Sequence, residues 1–240
     1  MNLKSITRYP VKGLAGEALE HTIIRANQTL IGDRQYALQH RDRIPPSAEG
    51  WRPKKFFLQS VHTDTLAELQ VRWSVTEASF TLDQETLNLK WPDEANALAD
   101  WLSDRVADTT GLQLVECPTG FTDEPTAYVS LINAETVQAI AEITETHASE
   151  KRYRGNLLIE GVPAFAETQW VGQVLSIGDA TFRVAEPIVR CRATECSWIA
   201  PREMDFLARL EVHCDTDCCG LFLIAESPGL ISIGDSIRLT

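Results

Sequence analysis

The sequence predicts a mainly β protein with a few helices, of α+β class, on three observations. Short segments of alternating apolar and polar residues, separated by turn formers, recur through the first part of the chain. Helical periodicity is confined to two stretches near the middle and a short one later on. Strand-like segments then return, ending in a repeated signature of strand, Gly-Asp turn and strand.

The early strand candidates are Leu3 to Arg8, Leu19 to Ile24, Tyr36 to Gln39, Phe56 to Val61, Glu68 to Trp73, Ser79 to Leu82 and Thr86 to Leu89. Their alternation suits a β-barrel or sandwich. Between Gln39 and Phe56 lies RDRIPPSAEGWRP, too polar and too broken by proline for regular structure, which reads as a long surface loop. From Ala95 onward Leu98, Trp101, Leu102 and Val106 fall on one helical face, with Gly111 as the C-terminal stop. Asn133 caps a second helix that carries Val137, Ile140, Ala141 and Ile143. The segment CPTGFTDEPTAY between these helices divides the chain into domains 1–118 and 119–240. After Tyr153 strands return, and Pro201 opens a short helix in which Met204, Leu207 and Leu210 share a face. The stretches SIGDATFRV and SIGDSIRLT echo each other and read as two hairpins of one barrel, with Leu175, Ile177, Phe182 and Val184 on a buried face of the first.

At 240 residues the chain can bury a substantial core as one large β-rich domain or two smaller ones. A formal charge of -12 and a pI near 4.9 argue against a nucleic-acid partner, whose phosphates such a surface repels. The opening MNLKSITRYPVKG lacks the apolar centre of a signal peptide, and no apolar run approaches the roughly 18 residues of a membrane span. The expectation is a soluble, cytoplasmic protein. Of the six cysteines (117, 191, 196, 214, 218 and 219), five fall in the last fifty residues. In a reducing compartment that clustering points to a metal or a reactive thiol rather than to a disulfide framework.

The stretch PIVRCRATECS places Cys191 directly between Arg190 and Arg192. Positive charge favours the thiolate, the form that attacks electrophiles and binds metals. If this segment is extended, both arginines point away from the face that carries Cys191, so they act through the local field or hold an anion near the strand end. From these residues alone a functional thiol and a buried structural one both stand.

Read together, RYPVKGLAGEAL, LIGDRQYAL, YRGNLLIEG, FAETQWVGQVLSIGD, RCRAT and GLISIGDSIRL resemble the MOSC family (molybdenum cofactor sulfurase C-terminal domain), whose members include the mitochondrial amidoxime-reducing component. The conjunction of these pieces in this order spans nearly the whole chain. It implies an N-terminal β-barrel domain followed by a MOSC β-barrel domain, with a molybdenum-pyranopterin cofactor lying between the two. The cysteine of the Arg-Cys motif, Cys191, is implied as the protein's sulfur ligand to molybdenum, and a soft thiolate suits a thiophilic metal. The family pattern further implies cofactor contacts from Lys12 of YPVKG, Arg34 of GDR, Ser130 of YVSLIN, Arg154 and Asn156 of RGN, and Arg190 and Thr194 flanking the cysteine. Lysine supplies a point charge and arginine a fork, so the basic members suit the cofactor's terminal phosphate. As exposed charges, Lys12, Arg34 and Arg154 are expected to matter little to folding.

The activity the resemblance implies is two-electron reduction of small N-hydroxylated compounds. Since the chain ends just after its last strand, the electrons are expected to come from a separate ferredoxin- or cytochrome-type carrier with its reductase. The sequence departs from the family in two places: ATECSWIAPRE lacks the Asp-Pro that often follows the cysteine, and a lysine-serine pair appears as Lys12-Gly13. Two rival readings remain. One is a non-catalytic carrier of cofactor or sulfur. The other is a zinc or iron-sulfur site drawn from Cys191, Cys196, His213, Cys214, Cys218 and Cys219, whose irregular spacing lacks paired Cys-x-x-Cys knuckles.

Overall fold

The computed structural model describes the chain apart from residues 46, 48, 64, 107–110, 197–204, 215 and 240, and apart from the side chain of residue 67. In chain order its strands are β1 (Asn2–Arg8), β2 (Glu17–Leu19), β3 (His21–Ile24), β4 (Tyr36–His40), β5 (Gln70–Trp73), β6 (Glu77–Leu82), β7 (Glu85–Lys90), β8 (Leu112–Glu116), β9 (Val129–Asn133), β10 (Leu157–Glu160), β11 (Val174–Ile177), β12 (Ala180–Val189), β13 (Cys218–Ser227), β14 (Gly229–Ser232) and β15 (Ile237–Leu239). The helices are α1 (Thr65–Glu68), α2 (Asn96–Ser103), α3 (Ala134–Thr144) and α4 (Phe206–Cys214). The protein is mainly β with a few helices.

Two compact units share the chain, and neither is a single stretch of it. The larger comprises Met1–Arg8, Ala18–Ile31 and Ala127–Thr240, and the smaller comprises Tyr9–Glu17 and Gly32–Thr126. The first strand therefore belongs with the C-terminal part of the chain, and the return to the larger unit falls at 126/127.

An eight-stranded sheet in the order β15-β11-β12-β13-β9-β10-β1-β2 forms the larger unit. Strands β9 and β10 run parallel, and α3 lies between them in the chain, as a parallel pair requires a crossover. The sheet curls: Leu3 N donates to Asp235 O at 2.9 Å, Gly234 N to Leu3 O at 2.8 Å and Ile237 N to Met1 O at 3.1 Å, so β1 meets the turn that precedes β15. The core inside this curl includes Leu3, Ile6, Leu131, Ile159, Phe182 and Leu223, each no more than 1% exposed. Full burial of each such side chain contributes about 1.5–3 kcal/mol.

The first Gly-Asp echo is a hairpin, with β11 and β12 paired from Val174↔Arg183 to Ile177↔Ala180. Its alternating residues Leu175, Ile177, Phe182 and Val184 are buried as expected. The second echo is not a hairpin. Strand β14 pairs with β3 and β15 with β11, so the same short sequence closes a ladder in one place and redirects the chain in the other.

Helix α3 is capped as the sequence predicts: Asn133 accepts a hydrogen bond from Glu135 N at 3.2 Å. Val137, Ile140 and Ala141 are buried, whereas Ile143 is 42% exposed and lies off the packed face. Helix α2 ends at Ser103, well before Gly111; its buried residues are Leu98, Ala99 and Leu102. Ser103 Oγ bonds Ala99 O and accepts from Leu112 N, which ends the helix and starts β8, a strand the periodicity did not reveal. Of the expected late helix, α4 includes Leu207 and Leu210, while Pro201 and Met204 lie outside the described residues.

Two small sheets, β4-β8 and β5-β6-β7, build the smaller unit. Ala37, Phe56, Phe57, Cys117 and Phe121 form one of its cores. The strand expected over Phe56 to Val61 is instead a 3-10 turn at Lys54–Phe56 followed by a single ladder contact between Phe57 and Gln39. Glu68 closes α1 rather than opening β5, which starts at Gln70. The loop RDRIPPSAEGWRP has no regular structure among its described residues, yet it is anchored: Arg52 is 6% exposed and bonds Gln39 Oε1, and Trp51 Nε1 bonds Thr122 O at 2.9 Å.

Candidate functional site

Strand β12 stops at Val189, and the next two residues turn the chain into a 3-10 segment, Arg192–Glu195. Cys191 stands at its N-terminal boundary with extended backbone (φ -129, ψ 174). The Cys191 carbonyl accepts from Thr194 N at 2.9 Å and from Thr194 Oγ1 at 2.8 Å. Thr194 is 4% exposed, so its hydroxyl is committed to shaping this turn. Cys191 itself is exposed; among the six cysteines Cys117, Cys196 and Cys219 are buried and Cys214 and Cys218 intermediate. A thiol that projects into solvent from a hydrogen-bonded turn is available as a ligand or nucleophile, which its buried counterparts are not.

The extended run expected through Arg192 stops at Val189, so strand alternation does not place the two neighbouring arginines; each has its own partners. Arg190 sends Nε to Cys219 O at 2.8 Å and Nη1 to Tyr153 O at 2.9 Å, and its guanidinium lies 5.1 Å from the Tyr153 ring centre. Arg192 reaches Glu195 at 3.7 Å, with its side chain 65% exposed. A third arginine supports the turn from below. Arg152, 6% exposed, donates Nη1 to Thr194 O at 3.1 Å and Nη2 to His147 O at 3.3 Å, with Phe206 4.4 Å beneath its guanidinium.

Ser130 and Asn156 are locked to each other. Asn156 Oδ1 accepts from Ser130 N at 3.1 Å and Oγ at 2.8 Å, Asn156 N donates to Ser130 Oγ at 3.0 Å, and Asn156 Nδ2 donates to Thr7 O at 3.1 Å. These bonds tie β9, the approach to β10 and β1 together, and Asn156 is 2% exposed. Between Asn156 and the left-handed Arg154 (φ 52) sits Gly155, where a Cβ would come within 2.3 Å of Ile132 Cγ1. The RGN sequence is therefore fixed at its glycine by packing as well as at its asparagine by hydrogen bonding.

Lys12 and Arg34 belong to the smaller unit and converge there on Asp123. Lys12 Nζ bonds Phe121 O at 2.8 Å and Asp123 Oδ1 at 2.5 Å. Arg34 pairs with Asp33, which also accepts from Tyr9 N at 2.8 Å, and stacks 4.8 Å from the Tyr9 ring centre. Burial acts to raise the Asp123 carboxyl, but the ion pair and hydrogen bond with Lys12, helped by Arg34 and Lys54, hold it well below the usual carboxylate range. Lys12 and Arg34 are not the exposed charges expected: their side chains are only 10% and 16% exposed.

Cys219 is inert by the same physics. Burial first, with Glu167 and Cys218 nearby, pushes its thiol up to about 12, against the opposing pull of Arg190 and the hydrogen bond with Tyr153. Burial also raises Cys214 and Cys218. Among the described residues no three histidine, cysteine, aspartate or glutamate side chains are grouped so as to hold a metal ion. The zinc or iron-sulfur alternative therefore gains no support from their arrangement.

Comparison with known proteins bears on what this arrangement is. A family model described as "MOSC domain" matches residues 118–238, half of the chain, from before β9 into β15. The chain belongs to the MOSC domain family. Among solved structures, the YuaD protein from Bacillus subtilis is 11% identical with a TM-score of 0.53, the alignment covering 99% of this chain and 94% of that one. That likeness shows a shared fold. YiiM from Escherichia coli is 17% identical with a TM-score of 0.37, over 47% of this chain and 53% of that one. No curated protein matches in sequence. MOSC domains are associated with molybdenum cofactor binding, and no helix among the described residues is long and apolar enough to cross a membrane.

Within the MOSC domain the structure gathers Cys191, Arg190 and Thr194 at one turn and Ser130 with Asn156 at another point of the same sheet. Lys12 and Arg34 form a separate group in the smaller unit. Sequence reasoning missed Arg152 and Asp123. Arg152 carried a signal: in EKRYRGN three cations crowd a tyrosine, more charge than a solvated turn needs. Asp123 had none, since its pairing with Lys12 spans most of the smaller unit.

Proposed function

We propose that this protein is a molybdenum-cofactor oxidoreductase that reduces small N-hydroxylated compounds, such as amidoximes or hydroxylamines. One observation carries the reading: in a MOSC domain, the cysteine of the Arg-Cys motif is the exposed thiol, held on a turn whose backbone is pinned by Thr194. The donor set fits a metal that already has dithiolene sulfurs, because it offers one soft ligand rather than a closed cage. When bound, the molybdenum-pyranopterin supplies a two-electron redox centre. Cys191 then holds and tunes the metal rather than attacking substrate. Arg190 and Thr194 fix the position of that thiol through backbone carbonyls, and Ser130 and Asn156 tie β9 to the start of β10. Lys12, Arg34 and Arg154 are the cations we assign to the anionic end of the cofactor. Electrons come from a separate ferredoxin- or cytochrome-type carrier, and six cysteines outside any disulfide suit a reducing cytoplasm.

The test is the molybdenum and pterin content of protein purified from a cofactor-competent host, followed by amidoxime reduction with reduced viologen as electron source. Stoichiometric molybdenum with turnover supports the assignment. Cofactor without turnover on N-hydroxylated compounds returns the protein to the carrier class, and protein without molybdenum or pterin overturns the reading.

A further inference from the structure

The chain on both sides of Cys191 is fixed by hydrogen bonds, and an arginine takes part in each: Arg190 on one side and Arg152, from the 3-10 turn Glu150–Tyr153, on the other. On the N-terminal side Arg190 joins Tyr153 O and Cys219 O. On the C-terminal side Thr194 returns to Cys191 O, and the carbonyl of Thr194 is itself taken by buried Arg152. The last carbonyls of a short helical turn lack intrahelical partners, so leaving the Thr194 carbonyl buried and unpaired is unfavourable. A guanidinium answers that need with a rigid planar fork. Its second arm reaches His147 O, and Phe206 supports its face.

We propose that Arg152 is a positioning residue for Cys191: it grips the Thr194 carbonyl and so sets the turn that aims the thiol. The proposal rests on Cys191 as the functional group. Arg152 is too deeply buried to meet a ligand itself, and its two carbonyl bonds join the loop after α3 to the turn after β12. Lysine at 152 would retain the charge yet lose the fork, so it can reach one carbonyl but not hold both. The chain Arg152 to Thr194 to Cys191 makes the Arg152 and Thr194 side chains act as a unit, and their removal is not additive.

The experiment compares Arg152→Ala, Arg152→Lys and Thr194→Val in the full chain. In the metal-free protein, amide exchange at Thr194, whose N–H bonds Cys191 O, is expected to accelerate at least tenfold in Arg152→Ala relative to Asn156, whose N–H bonds Ser130 O just before β10. Arg152→Lys should fall between parent and alanine. In protein made with cofactor, Arg152→Ala and Thr194→Val should each lower molybdenum content several-fold, the double variant being no worse than the poorer single one. The molybdenum electron-paramagnetic-resonance signal should also broaden into more than one species. Parent-like Thr194 exchange in both Arg152 variants, or equal acceleration at Thr194 and Asn156, overturns the positioning role. Because exchange is read without metal, it stands apart from the molybdenum assignment, which fails separately if Cys191→Ser keeps its metal.

Discussion

Cys191 and Cys219 lie near the same end of neighbouring strands, where Val189 of β12 faces Cys218 of β13, and they have opposite fates. Cys191 is exposed and its backbone is hydrogen-bonded into a turn. Cys219 is 3% exposed, and burial holds its thiol protonated far into alkaline pH. Arg190 contributes to both: it precedes Cys191 in the chain, and its side chain binds the Cys219 carbonyl. The difference teaches that an arginine beside a cysteine in sequence says little about which thiol it serves. Backbone carbonyls of Tyr153 and Cys219 hold the Arg190 guanidinium, and solvent access then decides which sulfur can act.

The comparison is broken most sharply by paired serine variants. Cys191→Ser is expected to lose more than nine-tenths of its molybdenum and all turnover, because a hydroxyl is mostly protonated and a poor ligand for this metal, whereas Cys219→Ser should keep its molybdenum. Metal analysis of the two purified proteins decides it, and retention of metal by Cys191→Ser would place the chemistry elsewhere. Alkylation sharpens the contrast without any metal. Iodoacetamide at pH 8 should modify Cys191 at least tenfold faster than Cys219, read by peptide mass spectrometry on the folded chain.

Smaller effects belong to the buried side of the comparison. Alanine at 214, 218 and 219 together is expected to lower stability by about 1–3 kcal/mol while leaving molybdenum near the parent level, as denaturant melts and metal analysis would report. Loss of stoichiometric zinc or iron from that variant would revive the cluster reading. Alkaline pH offers the mildest probe. Burial raises the folded Cys219 thiol from 9.0 to about 12, so the protonated thiol contributes stability that is present below pH 9 and lost progressively as pH rises through that window. The melting temperature of the parent should therefore fall more steeply above pH 9 than that of Cys219→Ala.

Much of the larger unit was legible because its signals are local. The Asn133 cap, the alternation of Leu175, Ile177, Phe182 and Val184, and the Gly-Asp turn are each decided within a few residues. The second Gly-Asp echo misled for the opposite reason: β14 and β15 take partners far along the chain, which no hairpin pattern encodes. At the site, Cys191 was legible as an oddity of charge, but its exposure was not, since that depends on where β13 and the 3-10 turn pack. Lys12 and Arg34 looked like solvated cations. They are buried against Asp123, Asp33 and Tyr9, so replacing either lowers stability as well as any hold on an anion, contrary to the expectation for exposed charges.

The interleaving of the two units has a consequence for biosynthesis. Asn2 must pair with Glu160, so β1 leaves the ribosome long before its partner exists. At about 5–20 residues per second the wait is roughly 8–30 s, during which all of the smaller unit is made. Leu3 and Ile6 are exposed to the nascent-chain environment for that time, although both are buried at the end. A strand made early and satisfied late carries the aggregation risk of its own apolar residues for the length of that wait.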